Sequence, residues 1–459
     1  MKSFELVIIG AGPGGYVGAI RAAQLGIKTA VIEKDKPGGV CLNIGCIPSK
    51  ALIHQAEKYN AITDLEKMGT KVDRTNFDYK EVHKKSRLAA KKLSKGVEFL
   101  LKKNQVDYIE GEAVFEDRNT ILVNGEQIHG DHIVIATGSR PKQIPGFEID
   151  EENVISSTGA LMLEKLPEKM LILGSGAIGV EFSHIFNSFG VEVHLVEMLD
   201  SIIPTEDRDI SEELEKAFKK RKIKVYTSTK ATGYEKTEHG LTVHLKDKND
   251  HEVTVAVDKI LLAVGRSINI ENLGLEKIGI ELERGNFIKV GDYYETTVKG
   301  VYAVGDVVSS PLLAHVASKE AEIAVEHIAG KEVEKRLDPL MVPGAVYCEP
   351  EIGSFGLKEK DIQNQAVIVS KFPYKAIGKA TAVEQSEGFI KILTEEMTGK
   401  ILGASIIGAQ ATELIHELLL AKDNGLSAKK IASMIHAHPT LSEGLMEASR
   451  ASQGWAIHI

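Results

Sequence analysis

A strand, a glycine loop, a helix and a second strand ending on glutamate occur twice in this chain, in register. Glu5-Leu6-Val7-Ile8-Ile9 leads into Gly10-Ala11-Gly12-Pro13-Gly14-Gly15, a helix is expected over 16–25, and Thr29-Ala30-Val31-Ile32-Glu33 follows. Met170-Leu171-Ile172-Leu173 leads into Gly174-Ser175-Gly176-Ala177-Ile178-Gly179, a helix through Phe189, and Val193-His194-Leu195-Val196-Glu197. Gly10 and Gly174 stand 164 positions apart, and so do Glu33 and Glu197. One such glycine spacing arises easily by chance. Two copies in the same strand–helix context argue for a duplicated βαβ unit and two dinucleotide sites.

Each glycine in the unit has its own reason. Gly10 and Gly174 permit the tight turn, Gly12 and Gly176 let the backbone approach a pyrophosphate, and Gly15 and Gly179 allow helix and strand to pack closely. Glu33 and Glu197 are placed to accept ribose hydroxyls, against the plainer reading of solvated strand ends. A carboxylate at Glu197 repels a 2′-phosphate, so the second site should prefer NAD to NADP. Three more apolar strands end on glycine: 132–138 with Thr137 and Gly138, 259–265 with Gly265, and 300–306 with Asp306 at its tip. Ligands of open parallel sheets lie beyond such carboxyl ends.

Just past the first unit comes Gly39-Val40-Cys41-Leu42-Asn43-Ile44-Gly45-Cys46-Ile47-Pro48-Ser49-Lys50. The chain has three cysteines, and Cys348 is far from this pair. That is no structural disulfide framework, and no second Cys or His pair with zinc-like spacing is nearby, which leaves a redox dithiol or two inert thiols. Pro48 suits the first turn of a helix, whose dipole favours a thiolate there by roughly 0.3–1 kcal/mol. Lys50 follows one turn later, where a bare lysine is more often a surface charge. A flavin handles both thiolate and hydride chemistry, so the first loop best fits FAD and the second NAD. Near the C-terminus, His436-Ala437-His438-Pro439-Thr440-Leu441-Ser442-Glu443 offers an imidazole base and a carboxylate to orient it. Most His-x4-Glu pairs are structural, and His436 has the plainer reading.

At 459 residues the chain should divide into about three domains. The texture changes after Met341 to short alternating strands and a helix over 411–422, an α+β region. Residues 80–104 read as a charged amphipathic helix whose Lys84-Lys85 and Lys91-Lys92 face water. A net charge of −9 without a basic stripe argues against nucleic acid. No apolar run reaches the roughly 18–20 residues of a membrane span, and 2–9 reads as a buried strand and not a signal peptide. A cytoplasmic address follows by default; the mitochondrial matrix stays compatible with a transit peptide already removed.

On the dithiol motif, on His438-Pro439-Thr440-Leu441-Ser442-Glu443 and on Asn272-Leu273-Gly274-Leu275-Glu276-Lys277-Ile278-Gly279, the chain resembles the disulfide-linked pyridine nucleotide oxidoreductases. Within that glutathione-reductase-like family it is most similar to the dihydrolipoamide dehydrogenases. The resemblance implies two Rossmann-like domains, for FAD and NAD, and a C-terminal α+β dimerisation domain. Its boundaries would be 1–144 for FAD and the redox disulfide, 145–268 for NAD, 269–339 completing the FAD domain, and 340–459 for the interface. Cys46 would lie against the flavin and Cys41 would meet the substrate. His438, oriented by Glu443, would be the base, buried in the partner subunit's site of an obligate homodimer. Lys50 would pair with Glu181 near the flavin; Glu33, the backbone of Ala113, Asp306 and Ala314 look like FAD contacts, and Thr137, Gly138, Ala231 and Gly265 complete the cofactor set. The implied reaction oxidises protein-bound dihydrolipoyl groups while NAD⁺ becomes NADH. The carrier would be a lipoyl-bearing subunit of a 2-oxo acid dehydrogenase complex or the glycine cleavage carrier protein. Another small disulfide reduced by NAD(P)H is the alternative. Ile268 stands where the family often has proline, in a loop of little expected consequence.

Overall fold

The computed structural model describes residues 1–363 and 366–459. Its centre is a parallel sheet in which Lys2–Ile9 lies between Thr29–Glu33 and Glu126–Ile135, with Leu6 opposite Thr29 on one side and His132 on the other. Asp107–Glu110 extends the sheet beyond Thr29–Glu33, and Val301–Ala303 adds in parallel to the second half of Glu126–Ile135. Both faces are covered, one by helices and the other by the hairpin Ala113–Phe115 and Thr120–Val123 with residues 273–288, so these strands read as unbroken apolar runs: Leu6, Val7 and Ile8 are all fully buried. The first helix spans Pro13–Gln24, three residues earlier than the sequence suggests, because proline fits its first turn and lacks only an N–H that would have no intrahelical partner.

The second copy repeats the arrangement. Lys169–Leu173 lies between Glu192–Val196 and Lys259–Leu262, all parallel, and the helix Ala177–Ser188 follows its glycine loop. Thr229–Thr237, Gly240–Asp247 and Glu252–Val257 form a separate antiparallel ribbon sheet. Gly344–Val346 to Ile401–Ile407 build a five-stranded antiparallel sheet packed against Ala411–Asp423 and Glu443–Ala451. The fold is therefore α/β with two parallel-stranded sheets, each carrying one glycine loop, and an α+β C-terminal layer. Among the described residues, no helix is long and apolar enough to cross a membrane.

A buried ionic cluster ties the start of the helix Arg208–Lys220 to this C-terminal layer. Lys391, 0% exposed, sits on the strand Phe389–Glu395, and its Nζ lies 2.6 Å from Asp207, 2.7 Å from Asp209 and 2.7 Å from Glu359. The three carboxylates are close enough together to hold a divalent ion, but the Lys391 ammonium occupies their centre. Asp209 is held below the usual carboxylate range: burial pushes it up, and the bonds from Lys371 and Lys391 outweigh that. Lys391→Met should destabilise the protein by roughly 3–5 kcal/mol, toward the lower end because Asp209 and Glu359 keep some solvent contact. Carboxylates with depressed pKa contribute stability above their unfolded value and lose it as pH falls. In the variant their repulsion also vanishes on protonation, so the gap in urea midpoint should narrow toward about pH 4. A midpoint unchanged at neutral pH would mean the cluster adds nothing.

Candidate functional site

The carboxyl ends of the first sheet open on a cavity of about 780 Å³. Gly10, Gly12, Glu33, Ala113, Thr137, Gly138, Asp306 and Ala314, each expected at a cofactor site, line it together with Cys41, Cys46, Lys50 and Glu181. Gly15 lies beneath the wall, where a Cβ would collide with the Gly10 carbonyl, and Gly179 stands against Gly174 in the same way. At Gly12 and Gly176, by contrast, a Cβ would meet no protein atom, and neither following helix has a side-chain cap. Open space in front of uncapped helix N–H groups is what a pyrophosphate requires, so both loops fit a dinucleotide.

The two acidic strand ends hold their loops identically. Glu33 Oε2 accepts the Ala11 N–H at 2.7 Å and Oε1 the Asp35 N–H at 2.9 Å. Glu197 Oε2 accepts the Ser175 N–H at 2.9 Å and Oε1 the Leu199 N–H at 2.9 Å. Each carboxylate keeps lone pairs free for ribose hydroxyls. Gly174, Gly176, Glu197, Ala231 and Gly265 lie outside the large cavity, Ala231 on the antiparallel ribbon and Gly265 after the strand Lys259–Leu262. Ala177, Ile178 and Phe182 nevertheless line it, so the second unit's helix forms one wall of the first unit's site.

Cys41 lies within the short helix Gly39–Ile44, and Cys46 begins the long helix Cys46–Lys67. Gly45 makes the break, since a Cβ there would come within 2.9 Å of the Val40 carbonyl. Both thiols are free. The neighbouring Cys41 side chain and the Lys50 ammonium favour the thiolate at Cys46, against burial, and the same neighbour raises Cys41, which keeps the proton. Lys50 Nζ lies 2.8 Å from Glu181; burial depresses its pKa, but the carboxylate more than offsets this and keeps it charged. Tyr347, unforeseen in the sequence, gives Glu181 its backbone N–H at 3.1 Å and places its ring 4.5 Å from Lys50 Nζ.

Also unforeseen is the clamp on Asp306. Arg266 donates to Ser139 Oγ at 2.6 Å and to the Ser139 carbonyl at 2.7 Å, Ser139 Oγ bonds the Asp306 carboxylate, and Arg266 lies 3.6 Å from that carboxylate. His438 is not near the dithiol. Its side chain is 77% exposed, with Nδ1 2.9 Å from Glu443 Oε1 and Nε2 open. Glu443 is held below its usual range: burial raises it, and the Thr440 N–H and His438 more than compensate. His436 also meets a carboxylate, Glu417 at 3.0 Å, but its side chain is only 3% exposed, which fits the structural reading.

Residues 4–321 match the family model described as pyridine nucleotide-disulphide oxidoreductase, and residues 342–449 match the dimerisation domain of the same family. The chain is 44% identical to a dihydrolipoyl dehydrogenase of Thermus scotoductus, covering 100% of this chain and 99% of that one. It is 41% identical to the mitochondrial dihydrolipoyl dehydrogenase 2 of Arabidopsis thaliana, over 99% of this chain and 91% of the relative. The crystal structure of LpdA from Mycobacterium tuberculosis superposes with a TM-score of 0.89 at 27% identity, over 98% of this chain and 99% of that one.

Proposed function

The chain belongs to the pyridine nucleotide-disulphide oxidoreductases, and on that premise we propose that Cys41, Cys46, His438 and Glu443 carry its reaction. The protein oxidises dihydrolipoyl groups to lipoyl with reduction of NAD⁺, uses FAD and NAD, and carries a dimerisation domain that makes it a homodimer. The observation that carries the site assignment is the dithiol on the wall of a cavity shared by both glycine-loop helices. FAD is held by the Gly10–Gly15 loop, Glu33, Ala113, Thr137, Gly138, Asp306 and Ala314; NAD by the Gly174–Gly179 loop, Glu181, Glu197, Ala231 and Gly265. Bound FAD supplies the two-electron chemistry that links a thiolate to a nicotinamide.

The protein's own groups do the rest. His438 Nε2 takes a thiol proton from the substrate, and Glu443 on Nδ1 stabilises the imidazolium. The substrate thiolate attacks Cys41 of the disulfide form, the Cys41–Cys46 bond breaks, and Cys46 leaves as a thiolate favoured by Lys50. The second substrate thiol displaces Cys41, which recovers a proton, and the lipoyl disulfide departs. Because His438 is exposed on its own subunit, it serves the dithiol of the partner subunit. On this reading the chain divides at 1–144 for FAD and the redox disulfide, 145–268 for NAD, 269–339 completing the FAD domain and 340–459 for the interface. The carrier is a lipoyl-bearing subunit of a 2-oxo acid dehydrogenase complex or of glycine cleavage, and the enzyme shares its compartment, the cytoplasm or a mitochondrial matrix.

Anaerobic titration of the flavoprotein with dihydrolipoamide tests this reading. A long-wavelength absorbance band should develop with one equivalent of dithiol and disappear on adding NAD⁺. If NADH raises that band and dihydrolipoamide does not, the substrate assignment fails.

A further inference from the structure

Glu320 has no part in the steps above. It lies on the helix Ala314–Ile328, 0% exposed, and its Oε2 accepts the Gly305 N–H at 2.6 Å. Its Oε1 is buried with no hydrogen-bond partner among the described residues; the Ser310 hydroxyl faces it without reaching bonding geometry. Two features tie this carboxyl to the redox site. Ala314, at the start of the same helix, lines the cavity, and Glu320 follows six residues later, about 9 Å along the axis. Gly305, held at φ +74, precedes Asp306 on the cavity wall. Asp306 is clamped by Ser139 and Arg266, and Arg266 in turn feels the charge of Cys46. Arg266, Asp306, Gly305 and Glu320 form one continuous run, and Cys46 lines the same cavity as the first three.

The charged groups around Glu320 leave its two protonation states close in energy. Burial raises its pKa; the Gly305 N–H, Ser310 and Arg336 lower it, and Asp306 raises it, with the outcome pushed up to about 7. The Tyr294 hydroxyl faces it from the turn Asp292–Tyr294, and the one charged side chain on the helix Pro13–Gln24, Arg21, is engaged by Glu326 at 2.5 Å.

We propose that Glu320 is a proton-accepting positioning residue of the redox site: when reduction leaves a thiolate at Cys46, Glu320 takes up a proton and cancels the added charge. The inference rests on the dithiol reading above. A reducing dithiol loses two electrons and two protons. The electron pair breaks the Cys41–Cys46 bond; one proton ends on Cys41, the other leaves to solvent, and Glu320 draws one from solvent. Cys46 becomes anionic while the net charge of the buried site stays constant. A protonated Glu320 holds the Gly305 N–H less firmly, because the charge-assisted bond becomes an ordinary one. New negative charge raises a carboxyl pKa, so uptake appears at and above neutrality and disappears at low pH, where Glu320 already carries its proton.

Infrared difference spectra of the holoenzyme, oxidised against two-electron reduced by dithionite at about pH 8, test the proposal. A carboxylic acid carbonyl band that shifts in heavy water should appear on reduction and be missing in Glu320→Gln. The pH slope of the midpoint potential should correspond to one proton fewer per electron pair in the variant. Glutamine retains an acceptor for Gly305, so flavin content and melting temperature should stay near wild type, as a purely structural role would not predict alongside the lost band. No band in wild type, labelled with ¹³C-glutamate if the variant fails to fold, overturns the proposal, as does a band that survives the substitution. Because dithionite is the reductant, failure of dihydrolipoamide to reduce the protein would refute the substrate reading and leave this result standing.

Discussion

Cys46→Ser abolishes turnover of dihydrolipoamide and leaves FAD bound. The hydroxyl is nearly isosteric with the thiol and still pairs with Cys41, but it forms no disulfide and does not ionise near pH 7. The sequence of exchanges then stops after the first thiolate has nothing to displace. Every group proposed to hold the flavin comes from another element: the turn at Gly10–Gly15, Glu33 at a strand end, Thr137 and Gly138 after a second strand, Asp306 after a third. None of these leans on Cys46, whose own bonds run to Cys41 and to the Lys50 charge. Flavin-to-protein ratio and dihydrolipoamide turnover, measured on the same preparation, check both halves. Turnover within an order of magnitude of wild type would remove Cys46 from the pathway; loss of flavin would make it a structural residue of the cofactor site. Cys41→Ser should lose dihydrolipoamide turnover as well, yet retain a thiolate at Cys46, which the Lys50 charge still favours.

What could be read in the sequence and what could not divide along a physical line. The glycine loops and Glu33 and Glu197 were legible because strand, turn and helix are local: each carboxylate returns to a loop N–H 22 positions back, and the same distance recurs in both copies. The break between the two cysteines falls at Gly45, inside the same short motif, and was not foreseen. The clamp on Asp306 was not legible. Ser139 and Arg266 are 127 residues apart, and Ser139 and Asp306 are 167 apart, so no periodicity links them; they meet because Ser139–Pro141 pairs antiparallel with Arg266–Ile268 just past the strand Glu126–Ile135, beside whose end Asp306 follows Val301–Ala303. Lys391 is similar: an alternating strand places it where an apolar residue is expected, and Asp207 and Asp209 from a distant helix start, with Glu359, explain the charge. His436 and His438 show the limit of motif spacing. Both meet a glutamate, and burial alone separates the one closed into its own fold from the one that presents a free Nε2.

His438→Ala lowers the rate of dihydrolipoamide oxidation by roughly 10²–10⁴, the range for losing a positioned general base. A thiol of ordinary pKa, about 8.5, is mostly protonated at neutral pH and attacks a disulfide only as thiolate. His438 is built to remove that proton: Glu443 fixes Nδ1 at 2.9 Å, the Thr440 N–H fixes Glu443, and the imidazole is exposed on its own chain. The loss should fall on the thiol half-reaction alone, so reduction of the flavin by NADH should proceed at nearly the wild-type rate. It should also shrink as pH rises, because the substrate then supplies its own thiolate. A defect under threefold would make His438 structural. The subunit that His438 serves is decided by mixing chains. A dimer of one Cys46→Ser chain and one His438→Ala chain holds a complete site only if the base acts across the interface, since the intact dithiol and the intact imidazole then face each other. Activity in the mixed dimer, where both parent homodimers have almost none, is the expected result; an inactive mixed dimer would place His438 at its own chain's dithiol, against its exposure on the isolated subunit.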